Sequence, residues 1–265
     1  MIPQVEIREK AVAEGVPETT IIKDYALSWL LKSINDLSNS FILKGGTGIR
    51  KAFIEGYRFS LDLDFTLTRS IEFEMVLRES SQLAKRESGI DFSDDVEIKD
   101  VKSGFEAKIP FRLYYPIQMK IKIDITTPEN EIIVLPIKSR RLIHPYSDEC
   151  RKRILTYSIE EIFAEKLRSL FERTRPRDLY DAWYLSNILN VIDIIPVIKR
   201  KFEFKHIELS LERLAYRKEK FRSAWESSLR NQLRELPKFK IVYSKIESII
   251  RTLIDNITHP SNSKS

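Results

Sequence analysis

The sequence predicts an α+β fold, with a helical entry, a strand-rich middle and a helical second half. Three observations predict it. Ile21, Ile22, Tyr25, Ala26, Trp29, Leu30 and Ile34 recur at the spacing of one helix face. Met119-Lys-Ile-Lys-Ile-Asp-Ile125 alternates strictly between apolar and polar, as a half-buried strand does. From Ser158 onward apolar residues return at helical spacing and the alternating pattern stops.

In chain order, residues 3–39 read as two helices, the second entered at Pro17-Glu-Thr-Thr20. Residues 41–44 form a short strand that ends at Gly45-Gly46, and residues 47–53 make a helical turn. A second strand carries Leu61-Asp-Leu-Asp-Phe65, and residues 71–87 are an amphipathic helix. After Gly89, strands are expected at 96–101, 105–115, 119–125 and 132–135, with Gly104, Pro116 and Pro128-Glu-Asn130 as turns. Ser158-Ile-Glu-Glu161 has the capping-box pattern, and Pro176 stops the helix that it opens. Further helices are expected at 178–189, 192–202, 210–217, 221–233 and 238–257, followed by a polar tail, 258–265, that frays. The chain divides on this reading into residues 1–150 and a helical part, 151–265.

The chemistry concentrates near the front. In a strand, Asp62 and Asp64 project to one side, while Leu61, Leu63 and Phe65 point to the other, into a core. Two adjacent carboxylates repel unless a cation lies between them, and a hard ion such as Mg²⁺ takes oxygen ligands while leaving room for phosphate oxygens. On the strand at 119–125, Asp124 lies opposite in face to Ile121, Ile123 and Ile125 and supplies a third carboxylate. The glycine turn ahead of these acids offers backbone N–H groups of Gly45, Gly46 and Thr47 to a polyphosphate. Each half has a plain structural reading as well. The glycines suit any tight turn, Thr47 suits a helix cap, and an Asp-x-Asp pair suits a solvated strand edge. Two better-known glycine patterns fail: Lys51 stands where a dinucleotide fingerprint needs Gly or Ala, and no glycine precedes the Lys-Ser/Thr of a P-loop.

Leu43-Lys-Gly-Gly-Thr47, Arg58-Phe-Ser-Leu-Asp-Leu-Asp-Phe65 and Tyr157-Ser-Ile-Glu-Glu-Ile-Phe-Ala-Glu-Lys-Leu167, continued through Arg173 to Arg177-Asp-Leu-Tyr-Asp181, stand in that order along the chain. Together they resemble the AbiEii-type nucleotidyltransferase toxins, within the DNA polymerase β-like nucleotidyltransferase superfamily. A weaker echo lies at Phe221-Arg-Ser-Ala-Trp225. The resemblance implies a nucleotidyltransferase-like mixed sheet flanked by helices, followed by a C-terminal helical domain. It implies Asp62, Asp64 and Asp124 as metal ligands, and Gly45, Gly46, Thr47, Arg58 and Ser60 as nucleotide-binding. It further implies Lys166 as a phosphate-neutralising lysine and Asp178 as functionally important, although an aspartate at a helix start is also favoured by the dipole alone. Asp181 and Arg173 read as members of structural ion pairs. The activity implied is transfer of a nucleotide from an NTP, with Mg²⁺, to an acceptor such as the 3′ end of a tRNA. The implied setting is a toxin–antitoxin or phage-defence pair with a cognate antitoxin. Two rivals are nucleotidylation of a small molecule of the aminoglycoside kind and a non-catalytic nucleic-acid or partner-binding module.

Composition agrees with a folded intracellular chain. Its 265 residues suffice for one large domain or two modest ones, and 42% hydrophobic residues argue against extensive disorder. One cysteine, Cys150, excludes an internal disulfide and suggests a reducing compartment, and with three scattered histidines it excludes a structural zinc site. No apolar run suggests a signal peptide or a membrane span, so a cytoplasmic protein is expected. The net charge of +6 favours polyanionic partners. Basic runs at 138–141, 151–153, 173–177 and 199–201 read as a track for RNA phosphates or as solvated surface.

Overall fold

A computed structural model describes residues 1–258, so the tail read as frayed lies, its first residue apart, outside the described residues. The chain forms two units, one of Met1–Ser158 with Asn231–Arg234 and one of Ile159–Arg230 with the residues from Glu235 onward. Helices α1 (Gln4–Glu14) and α2 (Glu18–Leu37) open the first unit. They are followed by β1 (Phe41–Lys44), a short helix α3 (Gly45–Gly48) that runs on as a π-helical turn (Ile49–Phe53), and β2 (Asp62–Leu67). Helix α4 (Phe73–Ser88) leads into β3 (Asp91–Phe92), β4 (Glu97–Val101), β5 (Gly104–Arg112), β6 (Met119–Thr126), β7 (Lys138–Arg141) and β8 (Arg153–Thr156).

The eight strands make one mixed sheet of order β3-β5-β6-β2-β1-β8-β7, with β4 paired to β5. Its central pair, β2 and β6, is parallel, whereas β1–β2 and β5–β6 are antiparallel. Alternation decides the two faces. Leu63, Phe65, Ile121, Ile123 and Ala107 are fully buried in a core shared with Ile22, Leu27 and Leu31 of α2. Each of the Leu, Ile and Phe side chains contributes roughly 1.5–3 kcal/mol on burial. The alternate positions carry the charged residues. Thr156 and Tyr157 clamp β8 to the end of β1, both donating to the Leu43 carbonyl, at 2.8 and 3.0 Å.

In the second unit, α5 (Ile159–Glu172), α6 (Pro176–Ser186), α7 (Ile195–Phe204), α8 (Leu211–Leu229) and α9 (Phe239–Thr258) pack on apolar stripes such as Val242, Ile246, Ile250 and Leu253. Among the described residues no single helix is long and apolar enough to cross a membrane.

Several expectations are corrected. Residues 132–135 form no strand, although β-branched and apolar; Pro128 and Pro136 bracket them with rigid, donor-free positions. The strands lie instead at β7, whose basic residues mask its pattern, and at the four-residue β8. The helices expected at 210–217 and 221–233 are one continuous helix, α8, because Leu214, Phe221, Trp225 and Leu229 keep one buried stripe. Lys201, read within a surface basic run, is fully buried, with its ammonium 2.8 Å from Glu161 and 3.1 Å from Glu165.

Candidate active site

The acids are gathered by register. On the face away from the core, Asp64 of β2 stands level with Asp124 of β6 and with Lys44 of β1. Asp124 stands level with Glu106 of β5, and Glu106 with Lys99 of β4. One row therefore reads Lys44, Asp64, Asp124, Glu106, Lys99 across five strands. The next row on the same face reads Asp62, Lys122, Lys108, Glu97. Like charges level with one another destabilise a sheet unless cations intervene. Lys122 intervenes at one place, with Nζ 2.8 Å from Asp124 Oδ2 and 3.0 Å from Glu106 Oε2. Lys99 and Lys108 approach Glu106 at 3.0 and 3.5 Å. Hydrogen bonds from Lys99 and Lys122 lower the Glu106 pKa to about 2. Asp62, Asp64 and Asp124 are half-buried.

The glycine turn is fitted to this row. Gly45 has φ +69°, a left-handed conformation, and a Cβ there would lie 2.6 Å from Asp64 Oδ2. A Cβ on Gly46 would meet Arg58 Nη2 at 2.7 Å and Ser60 Oγ at 2.9 Å. Bare backbone is therefore required at both places, and Gly45, Gly46, Arg58, Ser60 and Asp64 come together. Arg58 is only 3% exposed, and its Nη1 donates to the Phe59 carbonyl and to Gln232 Oε1. Its Nη2 lies against the Gly46 backbone, where a Cβ would collide with it. Thr47 is fully buried, and its hydroxyl donates to the Asp62 carbonyl, tying the turn to β2. That bond commits the hydroxyl proton to the backbone, so the Thr47 side chain positions Asp62 while its backbone N–H is the group read as meeting phosphate.

Below the turn, Arg50 and Lys51 converge on buried Asp24 of α2, each at 2.7 Å, and Tyr146 donates to the same carboxylate at 2.9 Å. Burial alone would raise the Asp24 pKa; Lys51 and Arg50 outweigh it and hold the carboxyl well below the usual range. The segment that follows the glycines is in this way pinned to the helical layer.

Lys166 and Asp178 lie in the helical unit. Lys166 Nζ is 2.7 Å from Asp178 Oδ1 and 2.8 Å from Asp181 Oδ2, and Arg173 Nε is 2.8 Å from Asp178 Oδ2. Asp181 and Arg173 are ion-pair members, as their sequence context suggests. Burial works against the Asp178 charge, but Lys166 and Arg173 prevail and depress its pKa. The lysine read as a phosphate ligand is held here by two carboxylates.

Among the described residues no three His, Cys, Asp or Glu side chains converge into a cage for an ion. The donor set nonetheless fits Mg²⁺, which is commonly held by one or two carboxylates and completed by substrate phosphates and water. Asp62 and Asp64 supply hard oxygens on one face, and the Gly45 backbone leaves the space beside Asp64 that a side chain would fill. Reading the sequence misses Glu106 and the ion pairs that Lys122 makes with Glu106 and Asp124. The alternating Glu106-Ala-Lys108 on β5 is the only local signal, and it looks like any solvated strand.

The family model described as nucleotidyl transferase AbiEii toxin, type IV toxin–antitoxin system, matches residues 29–250. Among solved structures, MenT4, a nucleotidyltransferase toxin from Mycobacterium tuberculosis, superposes with a TM-score of 0.69 at 17% identity, over 96% of this chain and 90% of that one. A protein from H. pylori assigned to the nucleotidyltransferases superposes with a TM-score of 0.61, also at 17% identity, over 93% of this chain and 100% of that one. At such identity these likenesses establish the fold. No curated protein matches the chain.

Proposed function

The chain belongs to the nucleotidyl transferase AbiEii toxin family of type IV toxin–antitoxin systems, and from that premise we propose that it transfers a nucleotide from an NTP to the 3′ end of an RNA, with tRNA as the acceptor. Its working setting is the cytoplasm, with Mg²⁺ as the ion and a cognate antitoxin as the protein partner. The observation that carries this reading is the level alignment of Asp64 with Asp124, two residues from Asp62, beside a glycine turn that has no room for side chains.

Asp62 and Asp64 would hold the ion, with Asp124 as the third carboxylate. When bound, the ion neutralises the triphosphate and the charge that develops on pyrophosphate. The chain's own residues do the rest. Backbone N–H groups of Gly45, Gly46 and Thr47 receive phosphate oxygens, with Arg58 and Ser60 fixing the turn's shape. The acceptor hydroxyl oxygen bonds to the α-phosphorus, the bond to the bridging oxygen breaks, and pyrophosphate leaves. Asp124 takes the hydroxyl proton. No covalent enzyme intermediate is needed, because positioning and charge suffice. In the helical unit Lys166 is assigned to phosphate charge, and Asp178 is assigned as functionally important, its carboxylate 2.7 Å from the Lys166 ammonium.

A macromolecular acceptor is favoured over a small one by exposed basic edges. Lys138, Arg140 and Arg141 lie on β7, an edge strand that is exposed along its whole length. The deciding experiment incubates the full chain with Mg²⁺, each labelled NTP, total tRNA and a panel of small hydroxylated compounds. Label on RNA is expected. Label on a small compound establishes the rival enzyme, and RNA binding without any transfer establishes a binding module.

A further inference from the structure

Glu106 and Lys122 take no part in the chemistry above, yet Lys122 contacts its third carboxylate and Glu106 stands beside it on the next strand. Asp124 and Glu106 stand level on neighbouring strands and share one ammonium, at 2.8 and 3.0 Å. That ammonium sits on Asp124 Oδ2, one of the two oxygens that the carboxylate offers to a divalent ion. An ammonium and a divalent ion at one carboxylate repel each other, so Lys122 in its resident place opposes cation binding at Asp124. Glu106 is placed to keep it. Its side chain is 13% exposed, against 33% for Asp124, and Lys99 and Lys108 hold it in position at 3.0 and 3.5 Å.

We propose that Lys122 is a resident counter-ion that keeps Asp124 oriented until a divalent cation arrives, and that Glu106 retains the displaced ammonium, so that the pair sets the cation affinity of the site. The proposal rests on the reading of Asp62, Asp64 and Asp124 as ligands. Both are positioning residues: Lys122 acts by competing for the charge of Asp124, and Glu106 acts through Lys122. The two therefore act with opposite signs. Lys122→Met removes the competitor and tightens cation binding. Glu106→Gln leaves the ammonium with Asp124 as its only charged partner of the two, and weakens cation binding. Changes of roughly tenfold are expected, the usual scale for partners of metal ligands.

The test titrates Mn²⁺ alone into the full-length chain, without nucleotide, and follows free Mn²⁺ by electron paramagnetic resonance. Asp64→Asn identifies the site by abolishing its binding. Circular dichroism and urea midpoints establish that each variant is folded, and Lys122→Gln replaces Lys122→Met if the latter does not fold. Expected are a lower Kd for the Lys122 variant, a higher Kd for Glu106→Gln, and little effect of Glu106→Gln once Lys122 is gone. A merely structural role lowers the urea midpoint of both variants without splitting their affinities. Mn²⁺ binding that both variants weaken, or leave within twofold, overturns the proposal while the metal reading stands. Absence of binding by the unmutated chain overturns the proposal, and the carboxylate variants in the transfer assay then decide the metal reading.

Discussion

Replacing Gly45 by alanine separates the two demands that the turn makes of this residue. At φ +69° an L side chain carries a backbone cost of about 1–2 kcal/mol. The added Cβ also lands 2.6 Å from Asp64 Oδ2, 3.2 Å from its Cγ and 3.3 Å from its Cβ. Restoring ordinary contact pushes that oxygen by about 0.8 Å, the gap between 2.6 and 3.4 Å. Displacements of that size at a reacting centre cost on the order of 100-fold in rate. Gly56 provides the control, since its φ is +72° and a Cβ there would meet nothing within 4 Å. Gly56→Ala bears the same backbone cost and no collision. The assay pairs urea denaturation with the initial rate of nucleotide transfer for both variants. Both should lose about 1–2 kcal/mol of stability, and Gly45→Ala alone should lose transfer by about 100-fold. Equal transfer rates in the two variants would refute the fit between the glycine turn and Asp64.

Asp24→Asn leaves Lys51 buried without its counter-charge, a change that should cost about 3–5 kcal/mol in urea denaturation; a loss under about 1 kcal/mol would contradict the pinning role. Acid should weaken the helical unit through Asp178. Its folded pKa lies below the unfolded value, so its contribution is complete above about pH 4 and is lost as the pH falls toward the folded value. The Asp178→Asn variant should show a flatter dependence of the unfolding free energy in urea on pH between about 2.5 and 6, by at most about 1.4 kcal/mol per pH unit; an unchanged slope would count against the ion pairing. Lys166→Met removes the ammonium 2.8 Å from buried Asp181, so it should lower stability before nucleotide use is considered. Its KM for NTP should also rise under conditions in which the variant is folded, and an unchanged KM would restrict Lys166 to structure.

The parts of the site that were legible in the sequence are those governed by local periodicity. Alternation alone puts Asp62 and Asp64 on one face with Leu63 and Phe65 on the other, and it treats Asp124 in the same way. Which strand lies beside which is a long-range property, so nothing near Glu106 announces that it stands level with Asp124. The same blindness hides Asp24, which looks like a polar position on an amphipathic helix until Arg50 and Lys51 reach it from the glycine turn. Charge runs mislead for a related reason. Lys199 and Arg200 are exposed, but helical rotation turns Lys201 inward onto Glu161 and Glu165. Charge also conceals β7, because an exposed edge strand can carry basic residues at positions that an alternating apolar pattern would otherwise mark.

Transfer of labelled nucleotide by chains lacking one carboxylate at a time tests the central claim most directly. Asp62→Asn and Asp64→Asn each remove a charge at nearly constant size, and both proteins should retain the fold by circular dichroism. Each should transfer at least about 100-fold more slowly than the unmutated chain in Mg²⁺. Transfer within a few-fold of the unmutated rate by either folded variant would contradict the assignment of cation and chemistry to this face of the sheet.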